Sequence, residues 1–383
     1  MEVAIDSDQT LSCLRELIAI PSVNPDLNPD EGTGEQAIAL FARDWFAARG
    51  IPVSLHQVKP GRPNVIADVG SGPVRLVLCG HLDTVGVAGM SIPPFEPKVD
   101  GQRVYGRGSY DMKGGVASVM TAAAALQERG ALNGAVRVAL VVDEEYRSVG
   151  ANAFVARYPV ADGCILTEPT DLKAITAHKG FQWIDITTHG REAHGSRWEL
   201  GQSAIASMGR VITALATLDD EVLRARTHPV VGPASMHSAI ITGGSGISTY
   251  AAHCSLQVER RTLPGEDAAE VLREITEAIR GADPGADVLL TFARPPLVVP
   301  DGHPLLTALA GAVETELGCK VATAGMAGWT DAAVFGAAGI PALNFGGRGE
   351  GAHEKREWVD FDSVLEVARV LVRTAEAIAF GPA

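Results

Sequence analysis

The sequence predicts an α/β protein, a mostly parallel sheet covered by helices and interrupted by an inserted α+β domain. Three observations carry this reading. Short apolar runs alternate with helix-patterned stretches through the first part of the chain. The patterning changes to a two-residue alternation from about Ala177, and the first pattern returns after Pro295-Pro296.

Leu11, Leu14, Leu17 and Ile18 have helical spacing, as do Ala37, Leu40, Phe41 and Trp45, with Gly50 as a stop signal. Apolar runs follow at Val65–Ala67, Val74–Cys79, Val136–Val142 and Cys164–Leu166, with an alanine-rich helix near Gly115–Arg129 between the second and third. Strands apolar on both faces and joined by helices imply a largely parallel, covered sheet. In the inserted block, Phe181–Thr187 alternates like a half-exposed antiparallel strand. A helix near Gln202–Leu218, strands near Ser238–Thr242 and His253–Arg261, a helix at Asp267–Arg280 and a strand at Val288–Ala293 follow. A strand at Ala342–Phe345 and a helix near Phe361–Phe380 close the chain. The domain reading is therefore 1–176 and 297–383 for a split first domain, with 177–296 inserted.

With 383 residues, two domains are the natural expectation. The formal net charge of −14 argues against nucleic acid or an anionic membrane as partner, since either asks for a basic face. The segment Met1–Asp6 has no basic stretch followed by an apolar one, and the longest mostly apolar run, near Val116–Leu126, is well short of the roughly 20 residues of a membrane span. Five scattered cysteines without a CxxC suit reduced thiols in a cytoplasm, and Cys79 reads as a buried strand residue.

Candidate ligands cluster where apolar strands run out. His81 and Asp83 follow the run ending at Cys79. Asp143, Glu144 and Glu145 follow Val142, Glu168 follows Leu166, and His353 lies shortly beyond Phe345. In open α/β sheets ligands bind at the carboxyl ends of the strands, so these residues are expected to converge, and Asp111, in a glycine-rich loop before a helix, could join them. A single His or Glu at a strand end is ordinarily a cap or a surface group. Imidazole and carboxylate together suit zinc, one carboxylate can bridge two ions, and four acids in one crevice without cations would repel one another.

Gly80-His81-Leu82-Asp83-Thr84-Val85, Gly106 to Gly115 around Asp111, Asp143-Glu144-Glu145, Thr167-Glu168-Pro169-Thr170 and Gly351-Ala352-His353 resemble, in order and spacing over nearly the whole chain, the motif series of one family. It is the dinuclear-zinc family of aminoacylases, acetylornithine deacetylases, succinyl-diaminopimelate desuccinylases and bacterial glutamate carboxypeptidases. The resemblance implies a zinc-peptidase-like catalytic domain and a ferredoxin-like lid that also carries a homodimer contact. It implies one zinc on His81, Asp111 and Glu168 and a second on Asp111, Glu145 and His353, with cobalt or manganese able to substitute, and a cis peptide at Asp111-Met112. Asp83 would hold the His81 ring by its second nitrogen. Glu144 would be the general base for a hydroxide held between the zincs, and His194, in Gly190-Arg191-Glu192-Ala193-His194, would stabilise the oxyanion in the partner subunit's site.

Arg261 matches an arginine motif that would clamp a substrate carboxylate. The other histidines read as structural or surface residues. Glu168, rather than Asp at that position, is similar to the deacylase and carboxypeptidase branches. The sequence departs from the family at Ser248 (often a substrate-contacting Asn), Ala251-Ala252 (Pro-Asp), Gly346-Gly347-Arg348 (Gly-Pro-Gly) and Trp198 (proline). These departures bear on substrate, not on reaction class. The implied function is removal of an acyl group from an N-acyl amino acid or a similar small amide in the cytoplasm. An exopeptidase of the same family, acting on short peptides, is the nearer alternative. A non-catalytic metal or ligand-binding protein on this fold is the remote one, and intact Glu144 and His194 count against it.

Overall fold

The computed structural model describes residues 4–130 and 133–380; residues 1–3, on which part of the leader reading rests, lie outside the described residues. The chain forms two compact units, one of 1–176, 299–324 and 330–383 and the other of 177–298 and 325–329. The second unit extends two residues past the expected edge because Leu297 and Val298 pair antiparallel with His178 and Ala177.

In chain order the sheet strands are β1 (Val53–Lys59), β2 (Arg62–Ser71), β3 (Val74–His81), β4 (Gly134–Val141), β5 (Cys164–Leu166), β6 (Ala174–His178), β7 (Gly180–His189), β8 (Ser235–Gly243), β9 (His253–Thr262), β10 (Asp287–Arg294) and β11 (Ala342–Asn344). The first unit's sheet runs β1-β2-β4-β3-β5-β11-β6. Its centre, β4-β3-β5-β11, is parallel, while β1-β2, β2-β4 and β11-β6 are antiparallel. The parallel centre is where the strands are buried on both faces: the last six residues of β3 are buried, as is all of β5.

Among the helices of this unit, α1 (Gly114–Arg129) is buried along its whole length from Gly114 to Leu126. Its run of alanines makes this possible, because side chains that small let neighbours close in on every side. The helix Phe361–Phe380 packs against it.

A small antiparallel sheet in the first unit was not legible beforehand. It orders Gly349–Glu350, Trp358–Asp360, Arg103–Tyr105 and Lys98–Asp100. Strands of two or three residues carry no periodicity to read. This sheet sets the hairpin bearing His353 beside the loop that leads to Asp111, through the pair Trp358 and Tyr105.

The second unit is a four-stranded antiparallel sheet, β8-β9-β7-β10. The alternating burial of β7 puts Ile184 and Ile186 on its covered face. Two helices pack there, Ala204–Thr217 through Met208, Val211 and Leu215, and Ala268–Arg280 through Val271, Ile275 and Ile279. The second helix is capped by Asp267, whose side chain accepts the N–H of Ala269 and of Glu270. No described helix is long and apolar enough to cross a membrane.

Candidate metal centre

Register explains why distant residues meet. His81 pairs with Val141, and Cys79 with Leu166, so the carboxyl ends of β3, β4 and β5 lie level. The chain therefore releases His81, the Asp143-Glu144-Glu145 turn and Glu168 at one edge of the sheet.

Asp111 stands between two imidazoles. His81 Nε2 lies 3.2 Å from its Oδ1, and His353 Nε2 lies 3.3 Å from its Oδ2. His353 Nε2 is also 3.0 Å from Glu145 Oε2, and His81 Nε2 is 3.8 Å from Glu168 Oε2. Two sets have ligand atoms within 4.8 Å of one another, His81 with Asp111 and Glu145, and His81 with Glu144 and Glu168. The two glutamates thus part company: Glu145 touches His353, and Glu144 keeps company with His81 and Glu168. The Asp111-Met112 peptide bond is cis.

Asp83 acts differently from the expectation. The His81 ring is held at Nδ1 by the main-chain carbonyl of Asp83, 2.9 Å away, while the Asp83 carboxylate is 3.7 Å off. That carboxylate is occupied elsewhere: it accepts the N–H of Glu144 at 3.1 Å, the N–H of Glu145 at 3.2 Å and Asn24 Nδ2 at 2.8 Å. It fixes the turn that carries both glutamates.

Behind this turn lies a buried ionic network that motif reading missed. Asn24 Nδ2 also donates to Asp143 at 3.0 Å, and Arg62 donates to Asp143 at 3.0 Å and to Glu35 through two nitrogens. Asn24, Glu35, Asp83 and Asp143 are fully buried and Arg62 nearly so. The only local signal was Asn24 in Pro21-Ser22-Val23-Asn24-Pro25. Glu357 was also missed. It is buried, and its carboxylate accepts four donors from the Asp111 loop and Arg107. Glycines let the Glu168 segment sit close: a Cβ on Gly346 would fall 2.1 Å from Glu168 O, and one on Gly115 2.1 Å from Thr167 O.

The donor set fits divalent metal. Glu168 Oε1 is buried without a hydrogen-bond partner, a costly state for a carboxylate oxygen unless something positive meets it. Burial pushes Glu168 up to about 8, outweighing the nearby His81. Burial and the Glu168 carboxylate drive Glu144 well above the usual range. Contacts with Asp111 and Glu145 raise His353 to about 10. Burial opposes protonation of His81, but Asp111 and Glu168 overcome it and raise this group too. Glu144, Glu145, Glu168 and both imidazoles favour their protonated forms here while Asp111 stays ionised between the imidazoles, and cations are the natural replacement for those protons.

His194, Ser248 and Arg261 belong to the second unit. His194 and Ser248 are neighbours there: Gly195 N–H donates to Ser248 O at 2.6 Å, and His194 bridges to Thr249. The His194 ring is exposed and its Nδ1 meets Ser196 Oγ at 2.8 Å. Arg261 pairs with Phe181, at the opposite end of β7 from His189, which pairs with His253. At ~3.3 Å per residue, the two ends of β7 are roughly 26 Å apart. Arg261 Nε donates to Glu259 Oε1 at 2.7 Å, and its guanidinium lies over the Phe181 ring.

The profile of Peptidase family M20/M25/M40 matches residues 77–377. An acetylornithine deacetylase of Proteus mirabilis is 31% identical over 371 residues, covering 94% of this chain and 93% of its own. The aminopeptidase PepT of Bacillus cereus shares the fold, with a TM-score of 0.81 at 21% identity over 98% of this chain and 99% of that one. A dinuclear metal-binding peptidase of the M20 family from Bacillus subtilis shares it with a TM-score of 0.74 at 18% identity over 98% and 99%.

Proposed function

The chain belongs to peptidase family M20/M25/M40 and is a metal-dependent amide-bond hydrolase, and from that premise we propose that it removes the acyl group from an N-acyl amino acid. The observation that carries this reading is Asp111 between His81 and His353, one carboxylate oxygen toward each imidazole. That is the disposition of a carboxylate shared by two metal ions. The Proteus mirabilis relative, similar along nearly the whole chain, supports deacylation over peptide cleavage.

His81, Asp111 and Glu168 would hold one zinc, and Asp111, Glu145 and His353 the other, with cobalt or manganese as substitutes. When bound, the ions polarise the substrate carbonyl and lower the pKa of water toward neutrality. Glu144 takes the proton of the attacking water and hands it to the leaving amine. The Asp83 carboxylate holds the peptide N–H of Glu144, so the base is aimed by a fixed main chain. Arg261 grips the substrate carboxylate with guanidinium nitrogens not used on Glu259, and Ser248 lines the approach beside His194.

His194 stabilises the oxyanion in a second copy's site. A single substrate cannot touch both ends of β7, so Arg261 and His194 of one chain serve different sites, which supports a homodimer. Edge strand β8 offers Ile240 and Ile241, both more than half exposed, for that contact. Five free cysteines, four of them buried, favour a cytoplasmic setting.

The test is turnover of a panel of N-acyl amino acids and dipeptides by metal-stripped protein reloaded with zinc, cobalt or manganese. Deacylation restored by metal is expected. Dipeptide cleavage alone would move the reading to an exopeptidase, and full activity without metal would overturn it.

A further inference from the structure

We infer that Glu357 is a positioning residue for the metal pair, locking the Asp111 loop to the hairpin that carries His353 so that the two ligands are set as one body. Glu357 lies four residues after His353 and is fully buried. Oε1 accepts the N–H of Tyr110 at 3.0 Å and of Asp111 itself at 2.9 Å. Oε2 accepts the N–H of Gly108 at 2.9 Å and Arg107 Nη1 at 2.8 Å.

A carboxylate has about four lone-pair sites, and here each has a donor. Arg107 in turn donates to Glu354 O at 3.0 Å and Gly86 O at 3.2 Å, closing the hairpin over the same loop. The loop meets the N–H of Ser109 from within, at Gly106 O, but Gly108 is left-handed at φ 77 and Asp111 is non-helical, and the N–H groups of Gly108, Tyr110 and Asp111 are met by Glu357 instead. A glutamine would turn its NH2 toward one pair of these donors and leave them unpaired.

This inference rests on the proposed sharing of Asp111 between two ions, and its test separates the two. Holoenzyme and Glu357→Gln are stripped and reloaded with Co2+, and stoichiometry, Co2+ affinity by chelator competition and the visible spectrum are recorded. Wild type is expected to take two ions. Glu357→Gln is expected to bind the weaker ion about 10–100-fold less tightly, with an altered spectrum and a kcat not restored by saturating metal. If the variant fails to fold by circular dichroism, Glu357→Asp carries the test, with affinity between the two expected. Wild-type affinity and spectrum in whichever variant folds would overturn the inference and leave the metal centre intact. A wild-type chain that binds no metal would instead remove the reading on which both stand.

Discussion

The Asp83 carboxylate accepts the main-chain N–H of Glu144 at 3.1 Å, so the peptide bearing the proposed base is held by a residue released from the neighbouring strand. Asp83→Ala leaves that N–H and the N–H of Glu145 without their acceptor, and takes from Asn24 Nδ2 one of its two. Kcat is expected to fall about 10–100-fold with metal affinity largely kept. A variant rescued by excess metal would show that Asp83 acts on the His81 ring instead. Steady-state kinetics across a metal titration separates the two.

Arg62 is the buried cation facing Glu35 and Asp143. Arg62→Met strands these acids in the interior and is expected to destabilise the protein by about 3–5 kcal/mol, read by denaturant unfolding. Arg62→Lys keeps the charge but not the fork, and should recover only part of the loss. Unchanged stability in Arg62→Met would mean that the acids find other partners.

Gly346→Ala places a methyl 2.1 Å from Glu168 O, a main-chain atom that cannot swing away. A loss of at least about 1–3 kcal/mol is expected, with weakened metal binding because the Glu168 peptide must move. Gly311→Ala is the control. It lies in the helix Pro304–Leu317 with open space around it and should stabilise by up to about 1 kcal/mol.

Metal uptake should release protons. His353 is raised to about 10 and Glu168 to about 8, so at neutral pH both carry protons in the metal-free protein. A ligand must be deprotonated, so binding expels these protons; affinity rises with pH most steeply below about 8, where both are protonated, and less steeply from there to about 10, where only His353 still carries one. Calorimetry in buffers of different ionisation enthalpy reads the proton count directly. Affinity independent of pH would exclude His353 as a ligand.

Strand ends and ligand types were legible because β3, β4 and β5 are mostly apolar runs, Arg75 and Arg137 apart, that give way to His81, Asp143 and Glu168, and the chemistry of those residues is local. The anchors were not. Arg62 reaches Asp143 across 81 residues and Glu357 reaches Asp111 across 246, and pairings at such separation leave no periodicity in either segment. The main-chain contact of Asp83 is hidden for a related reason. His-x-Asp spacing brings the carboxylate near the ring, but the main-chain carbonyl lies nearer, and Asn24 with two peptide N–H groups claims the side chain. The arginine motif points to a clamp at Arg261 and says nothing of Glu259, which accepts its Nε.

The most direct measurement is Glu144→Gln, assayed for turnover and metal content on the same preparation. Gln keeps the shape and cannot take the proton. The variant is expected to hold two divalent ions per chain, bind substrate, and lose at least about a hundredfold in kcat, as removal of a positioned base does. Loss of a metal would mean that Glu144 is a ligand and the roles of Glu144 and Glu145 are exchanged. Wild-type turnover with both ions in place would contradict the account at its centre.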